Sequence, residues 1–356
     1  MHILHVVGAR PNFMKAAPVL ASLAEKLGVR QTLVHTGQHY DTAMSDVFFQ
    51  QLGLPAPDLN LEVGSGSHAS QTAEVMTRLE PVVLERKPDL VLVYGDVNST
   101  MAAALVCSKL AVRLGHVEAG LRSGDRSMPE EINRLVTDQL ADLLFTPSPD
   151  ADQNLVREGK DARGIHRVGN VMIDTLVRLL PQAGAYRPAD TPGAFVLVTL
   201  HRPSNVDDLS WLQELLLALS ALSREITVMF PVHPRTRQRI SGLGLGALSN
   251  DHLRLMDPIP YLDFLALQRE ARLVITDSGG IQEETTFLGI PCLTMRENTE
   301  RPITVTMGTN LLVGRDIARM QREVRRLLST ESKAPQPIPL WDGNAARRIA
   351  DVIAPR

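Results

Sequence analysis

Short apolar runs rich in Val, Leu and Ile alternate along the chain with longer amphipathic stretches. The series opens with Ile3 to Val7, a helical pattern over Pro11 to Leu27, and Gln31 to His35. It continues through Leu90 to Tyr94, Ser99 to Leu110, Val112 to Val117, Glu130 to Leu140 and Leu143 to Thr146. An apolar run bounded by polar residues suits a strand buried on both faces, and its alternation with helices predicts a parallel sheet. Pro181 to Pro192 breaks the pattern and reads as a linker. The rhythm then restarts with Phe195 to Thr199, Leu209 to Leu222, Thr227 to Phe230, Leu253 to Leu255, Tyr261 to Glu270, Leu273 to Thr276, Ile281 to Leu288 and Cys292 to Thr294. Two doubly wound α/β lobes are the simplest account. A second Pro-rich connection, Lys333 to Pro339, precedes a final helix over about Gly343 to Ile353.

The polar residues cluster where strands end. Gly8-Ala9-Arg10 follows the first run, Thr36-Gly37-Gln38-His39 the second and Gly95-Asp96 the third, and Glu118 closes the fourth. In the second half His201-Arg202, His233 and Asp277-Ser278-Gly279-Gly280 hold equivalent places. Open α/β sheets bind ligands beyond the carboxyl ends of their strands, so facing edges of two lobes are expected to form one cleft.

Length and composition agree with this picture. At roughly 150 residues per domain, 356 residues make about two domains. Lys and Arg total 37 against 40 Asp and Glu, a formal charge of -3, so no nucleic-acid footprint is expected and any phosphate must be met locally. With 8 Phe, 4 Tyr and 2 Trp, a platform of stacking aromatics is excluded. No apolar run approaches a membrane span and no export signal opens the chain, so a cytoplasmic protein without membrane partners is expected. Cys107 and Cys292 sit among apolar residues and read as buried, reduced thiols.

Three tempting motifs fail. Gly8 to Lys15 lacks the second Gly and the Ser/Thr of a P-loop; Gly242, Gly244 and Gly246 have the wrong spacing for a dinucleotide fingerprint; and His35 and His39 lack the Glu of a zinc helix. No metal and no cofactor are expected. Two constellations survive. Ser278-Gly279-Gly280 stands where a strand passes into a helix, so free amides and the helix dipole can meet a phosphate, and a carboxylate on that helix, Glu283 or Glu284, can accept ribose hydroxyls. Asp96, Glu118, Asp125, Glu130 and Glu131 lie among Arg122, Arg126 and Arg134; carboxylates crowded in a closed cleft are expected to have raised pKa values and to exchange protons with a carbon acid or hydroxyl.

The ordered set Gly8-Ala9-Arg10-Pro11 with Lys15, Thr36 to Asp41, Gly95-Asp96, His116 to Arg122, Pro129 to Arg134, His201-Arg202, Asp277 to Glu284 and Thr299-Glu300-Arg301-Pro302 resembles the non-hydrolysing UDP-N-acetylglucosamine 2-epimerases. The resemblance runs the length of the chain. It implies a GT-B fold of two Rossmann-like doubly wound lobes with the active site in the cleft between them: residues 1–168 plus 343–356 as the first lobe with its returning helix, and 169–342 as the UDP-binding lobe. It implies that Arg10, Lys15 and Arg301 neutralise a diphosphate, with hydrogen bonds from Ser278, Gly279 and Gly280. Glu284 would hold the ribose and Phe264 would pack near uracil. Asp96, Glu118 and Glu130 would be the acid/base carboxylates, and His201 would assist the departing or returning UDP. Gln38 and His39 match a region that binds a second, activating UDP-N-acetylglucosamine in some relatives.

The implied reaction is reversible inversion at the sugar's second carbon by elimination of UDP to a 2-acetamidoglucal and its re-addition. It needs no redox cofactor, and a homodimer serving cell-surface polysaccharide synthesis is the expected setting. Hydrolysing 2-epimerases generally carry a His-Gly-Gly-Glu-like stretch where this chain has Val117 to Arg122. Two stretches, His201-Arg202-Pro203-Ser204-Asn205 and Arg301-Pro302-Ile303-Thr304, depart from many relatives near the expected sugar, which leaves a diacetamido uronate nucleotide as an alternative substrate. A hydrolysing epimerase, a GT-B glycosyltransferase and a non-catalytic UDP-sugar sensor compete with the epimerase reading. Loss of Asp96, Glu118 or Glu130 would mark the sensor, and all three are present.

Overall fold

The computed structural model describes residues 1–37, 49, 51–186, 188–330 and 337–355. The chain divides into two units, Met1–Arg178 with Pro339–Arg356, and Leu179–Ile338. Residues 169–178 and 339–342 therefore belong with the first unit, whereas the sequence pattern places the boundaries at 168 and 343. The cause is local bonding: buried Trp341 donates from Nε1 to the Pro147 carbonyl at 2.9 Å, and Asp174 accepts the Ala345 and Ala346 amides at 3.1 and 2.7 Å. Asp174 thus supplies the cap that Asn344 does not give to the final helix, Ala345–Ile353.

The first unit holds one parallel sheet built from β1 (His2–Val7), β2 (Arg30–His35), β3 (Leu59–Asn60), β4 (Leu90–Tyr94), β5 (Leu114–Val117), β6 (Leu143–Thr146) and β7 (Ile165–Arg167), in the order β3-β2-β1-β4-β5-β6-β7. The chain winds outward from β1 in one direction and from β4 in the other, so the sheet's switch point lies between these two strands. Val6 is in register with Val93 there. Every residue of β1 and β4 is buried, as expected of strands covered on both faces. The second unit repeats the plan with β8 (Phe195–Thr199), β9 (Thr227–Pro231), β10 (Leu253–Met256), β11 (Leu273–Thr276), β12 (Cys292–Thr294) and β13 (Asn310–Leu312), ordered β10-β9-β8-β11-β12-β13. Its switch point lies between β8 and β11, where Thr199 is in register with Thr276.

The structure differs from the sequence pattern at element ends and short edge strands, and it adds helices that the pattern does not contain, among them His68–Arg86 and Ile317–Ser329. The fifth strand starts at Leu114 rather than Val112, because Ala111 ends the preceding helix in a left-handed conformation and the Val112 amide bonds back to Cys107. The helix expected from Ile281 begins at Gly279. The expected linker is helical up to Ala183 despite Pro181. Among the described residues no helix is long and apolar enough to cross a membrane. Both cysteines are buried, and burial pushes the Cys107 and Cys292 thiols up to about 12 and about 11.

Candidate active site

Both switch points carry the residues singled out from sequence. In the first unit the loop after β1 delivers Arg10 and Lys15 at the start of helix Arg10–Ala24, the loop after β4 delivers Gly95-Asp96, and Glu118 follows β5. Arg10 is exposed and, among the described residues, has no carboxylate partner. Lys15 is buried with its ammonium on Glu118 Oε2. Glu118 is itself buried at φ +74°, a left-handed conformation costly for a residue with a side chain. Two amides fix it there, with Glu118 N and Ala119 N both donating to the Phe145 carbonyl at 3.0 Å. Gly95, at φ +60°, lies over this pair: a Cβ at Gly95 would come 3.3 Å from Glu118 Oε2 and closer to the Lys15 ammonium. Only glycine lets the chain pass so near.

Asp96 is ion-paired through Oδ2 with Arg134 Nη1, and Asn133 Nδ2 donates to its carbonyl at 2.8 Å. Of the two glutamates opening helix Pro129–Leu140, Glu130 is exposed and Glu131 buried. Glu131 accepts the Ser123 and Gly124 amides at 3.0 and 2.9 Å and pairs with Arg134 at 2.6 Å. The expected upward pKa shift is not found for Glu131. Burial pushes its carboxyl upward, but the two amides and Arg134 outweigh this and hold it below the usual carboxylate range. The crowding of acids read from sequence is compensated in three dimensions by the interleaved arginines.

Beneath Gly95 lies a chain of buried charges that the sequence pattern does not assemble. His116 sits between the Gly95 carbonyl, 2.8 Å from Nε2, and Asp138 Oδ1, 2.6 Å from Nδ1. Asp138 Oδ2 takes the Gly120 amide at 3.0 Å and Arg122 Nη2 at 2.7 Å, and Arg122 forks onto Glu158. Burial drives Asp138 upward, yet His116 and Arg122 bring it below its ordinary value. A His within an apolar strand and an Asp one helix later are the only sequence signals of this arrangement.

In the second unit Asp277, fully buried after β11, gathers the loop after β8. It accepts the Arg202 amide at 2.9 Å and Asn205 Nδ2 at 3.0 Å, and its Oδ1 lies 3.2 Å from Nδ1 of half-exposed His201. Ser278 stands at the N-cap of helix Gly279–Leu288, so the Gly279 and Gly280 amides have no intrahelical acceptor. Arg301 and Glu300 press against Gly279, where a Cβ would lie 2.7 Å from Glu300 Oε1. Arg301 pairs with Glu300 and, through Nε at 2.8 Å, with Glu283. Glu284 is buried one position on, with Oε1 accepting from Tyr261 Oη at 2.8 Å and Oε2 unpartnered. Burial, helped by the neighbouring Glu283, outweighs Tyr261 and Gln268 and pushes Glu284 up to about 7. Phe264 is half-buried against the core that includes Phe195 and Leu197. Gln38 and His39 lie outside the described residues.

Two parallel doubly wound units, one with a glycine-opened helix N-terminus backed by arginines and a buried carboxylate, the other with carboxylates at its switch point, define a GT-B-class nucleotide-sugar enzyme. Among known proteins, the family model described as UDP-N-acetylglucosamine 2-epimerase matches residues 21–354. A UDP-N-acetylglucosamine 2-epimerase of Methanococcus maripaludis is 40% identical over 98% of this chain and 97% of its own. A UDP-2,3-diacetamido-2,3-dideoxy-D-glucuronate 2-epimerase of Pseudomonas aeruginosa is 42% identical over 99% of both chains. A crystal structure of the Methanocaldococcus jannaschii UDP-GlcNAc 2-epimerase in complex with UDP-GlcNAc and UDP superposes with a TM-score of 0.91 at 38% identity, covering 99% of each chain. The chain belongs to the UDP-N-acetylglucosamine 2-epimerase family, whose members are isomerases.

Proposed function

We propose that this enzyme interconverts UDP-N-acetylglucosamine and UDP-N-acetylmannosamine without hydrolysis, by elimination of UDP followed by its re-addition. The observation that carries the reading is the division of groups between the two units: a glycine-opened helix end beside arginines and the buried Glu284 in one, and Asp96 and Glu118 paired with Arg134 and Lys15 in the other. Arg10, Lys15 and Arg301 neutralise the diphosphate, with the amides of Ser278, Gly279 and Gly280 as donors. Phe264 packs near the uracil. The proton on the second carbon leaves to a carboxylate among Asp96, Glu118 and Glu130 while the C1–O bond to UDP breaks, giving 2-acetamidoglucal. Re-addition of UDP at the first carbon with protonation of the second from the opposite face inverts that centre, and His201 handles the phosphate proton. UDP is released and re-added, and the proton lost from the second carbon is replaced by one that exchanges with solvent, so no co-reactant is consumed. The family resemblance also supports a cytoplasmic homodimer serving cell-surface polysaccharide synthesis, with Gln38 and His39 in an activating site.

Incubation with UDP-N-acetylglucosamine in deuterated water, followed by NMR, tests the reaction. Deuterium at the second carbon of both UDP-sugars is expected, and unlabelled, unconverted substrate would remove the assignment. The same experiment with a UDP-diacetamidoglucuronate covers a second reading, which the 42% identity to the Pseudomonas enzyme favours; faster turnover there would reassign the sugar.

Glu284 makes a pH prediction with a definite sign. Ribose hydroxyls donate to the ionised carboxylate, whereas the ligand-free carboxyl holds a proton up to about pH 7. Binding must therefore expel that proton below pH 7. Affinity for uridine, which lacks a titrating diphosphate, is expected to rise with pH, by at most about tenfold per unit, and to level off above pH 7. Calorimetry on Glu284→Gln should give a flat profile over the same range; an equally steep one would take the ribose away from Glu284.

A further inference from the structure

The expected phosphate ligand Arg301 is already neutralised. Its guanidinium pairs with Glu283 on one side and Glu300 on the other, and all three side chains are buried. Glu300 is the hub of this arrangement: Oε1 meets Arg301 and lies 3.8 Å from Arg202 Nη2, and Oε2 meets Arg296 Nη2 at 2.7 Å. Burial would favour its neutral form, but Arg301, Arg296 and Arg202 together hold it ionised far below the usual carboxylate range. The same oxygen that faces Arg301 crowds Gly279, at the helix end whose first amides lack acceptors. A carboxylate therefore stands where a second anion would bring its charge.

Arg301 does not need Glu300 to stay in place. Glu283 remains as an ion-pair partner with Oε1 2.8 Å from Nε, and the loop is fastened independently: Thr299 Oγ1 donates to Gln282 Oε1 at 2.7 Å, and the Arg301 amide donates to Thr299 Oγ1 at 3.0 Å. The negative charge of Glu300 is thus separable from the positioning of Arg301. We propose that Glu300 is an internal counter-ion that competes with the diphosphate for Arg301 and Arg296, setting the affinity for UDP below what the cations alone would give. The inference rests on the reading of Arg301 as a diphosphate ligand. In the ligand-free protein Glu300 compensates the buried arginines, which would otherwise be costly to hold unpaired. When diphosphate arrives, the guanidinium groups share their charge between two anions. The mutual repulsion of those anions then favours release of UDP after turnover.

Calorimetry with UDP and with uridine on the wild type, Glu300→Gln and Arg301→Met tests this. Glu300→Gln keeps the side chain's shape and an acceptor oxygen and removes only its charge. It is expected to tighten UDP at least tenfold while leaving uridine within about twofold, and Glu300→Asp, which withdraws the charge by one methylene but still compensates the arginines, should tighten UDP by a smaller factor. Arg301→Met should weaken UDP at least tenfold. If Arg301→Met binds UDP like the wild type, Arg301 is not a diphosphate ligand and the reading beneath the inference falls. If Arg301→Met weakens UDP but Glu300→Gln leaves it unchanged or weaker, Glu300 is a structural partner of the arginines and not a competitor. Equal tightening of UDP and uridine also overturns the proposal, because a charge competitor acts only on the phosphate-bearing ligand.

Discussion

Replacement of Glu118 by Gln is expected to lower turnover by about a thousandfold, in the range that removal of a general acid or base produces, while UDP binds at least as tightly as to the wild type, because Lys15 loses its counter-ion. Three features single Glu118 out from the other acids. It alone among the carboxylates of its cluster has a left-handed backbone, φ +74°, a strain that the two amides on the Phe145 carbonyl sustain. It is buried against a buried lysine, so its charge is met by Lys15 instead of by solvent. Its oxygens sit beside Gly95, where any other residue would collide with the Lys15–Glu118 pair. Glutamine preserves the shape and keeps an oxygen for Lys15 but cannot take up a proton at neutral pH. The measurement is the rate of deuterium uptake at the second carbon, alongside a UDP titration to show that the fold and the nucleotide site persist. Uptake within about tenfold of the wild type would remove Glu118 as acid or base and leave Asp96 or Glu130 to carry the step.

Asp138→Ala is expected to cost the first unit about 3–5 kcal/mol, the usual penalty for deleting one partner of a buried ion pair. Asp138 has no exposed surface and satisfies three donors at once: His116 Nδ1 at 2.6 Å, the Gly120 amide at 3.0 Å and Arg122 Nη2 at 2.7 Å. Alanine strands His116 Nδ1 and the Gly120 amide and leaves Arg122 only Glu158. The damage should also reach the Gly95 carbonyl through His116, and so the placement of Asp96. Urea unfolding followed by fluorescence reads it cleanly. Trp341 is buried in the first unit and Trp211 lies in the second, so a Trp211→Phe background makes the signal report the first unit alone. A loss under about 1 kcal/mol would mean that solvent reaches the site and that the network is not an electrostatic support.

Much of this was legible from residue order, for a physical reason. A parallel strand buried on both faces must be continuously apolar, so the polar residues that interrupt the pattern fall at strand ends, and the ends nearest the switch points carry the ligand chemistry. Gly8 to Arg10, Gly95-Asp96, His201-Arg202 and Asp277 to Gly280 all sit there. The short edge strands β3, β7 and β13 escaped because two or three residues carry too little pattern. The helix start at Gly279 was misplaced because glycine has no helical signature of its own.

Pairing was where residue order ran out. Glu130 and Glu131 are adjacent and chemically alike, and only the turn of their helix decides that Glu131 is buried on Arg134 while Glu130 stays exposed. A sequence dense in carboxylates suggested mutual repulsion and raised pKa values, but the arginine a turn away on the same helix, with two loop amides, reverses this for Glu131. At the candidate site a carboxyl that is raised is Glu284, whose sequence neighbourhood of Gln, Glu and Thr gives no hint that one of its oxygens is buried without a hydrogen bond. Arg301 likewise reads as a free cation and is in fact doubly compensated. By itself, the sequence determined the two-unit parallel architecture and which residues stand at the strand ends, because hydrophobic periodicity and loop position are properties of neighbours in the chain. Only the tertiary structure decided which of those charges are matched and which remain available, because Coulomb energy and desolvation depend on distances and burial between residues that the chain order keeps far apart.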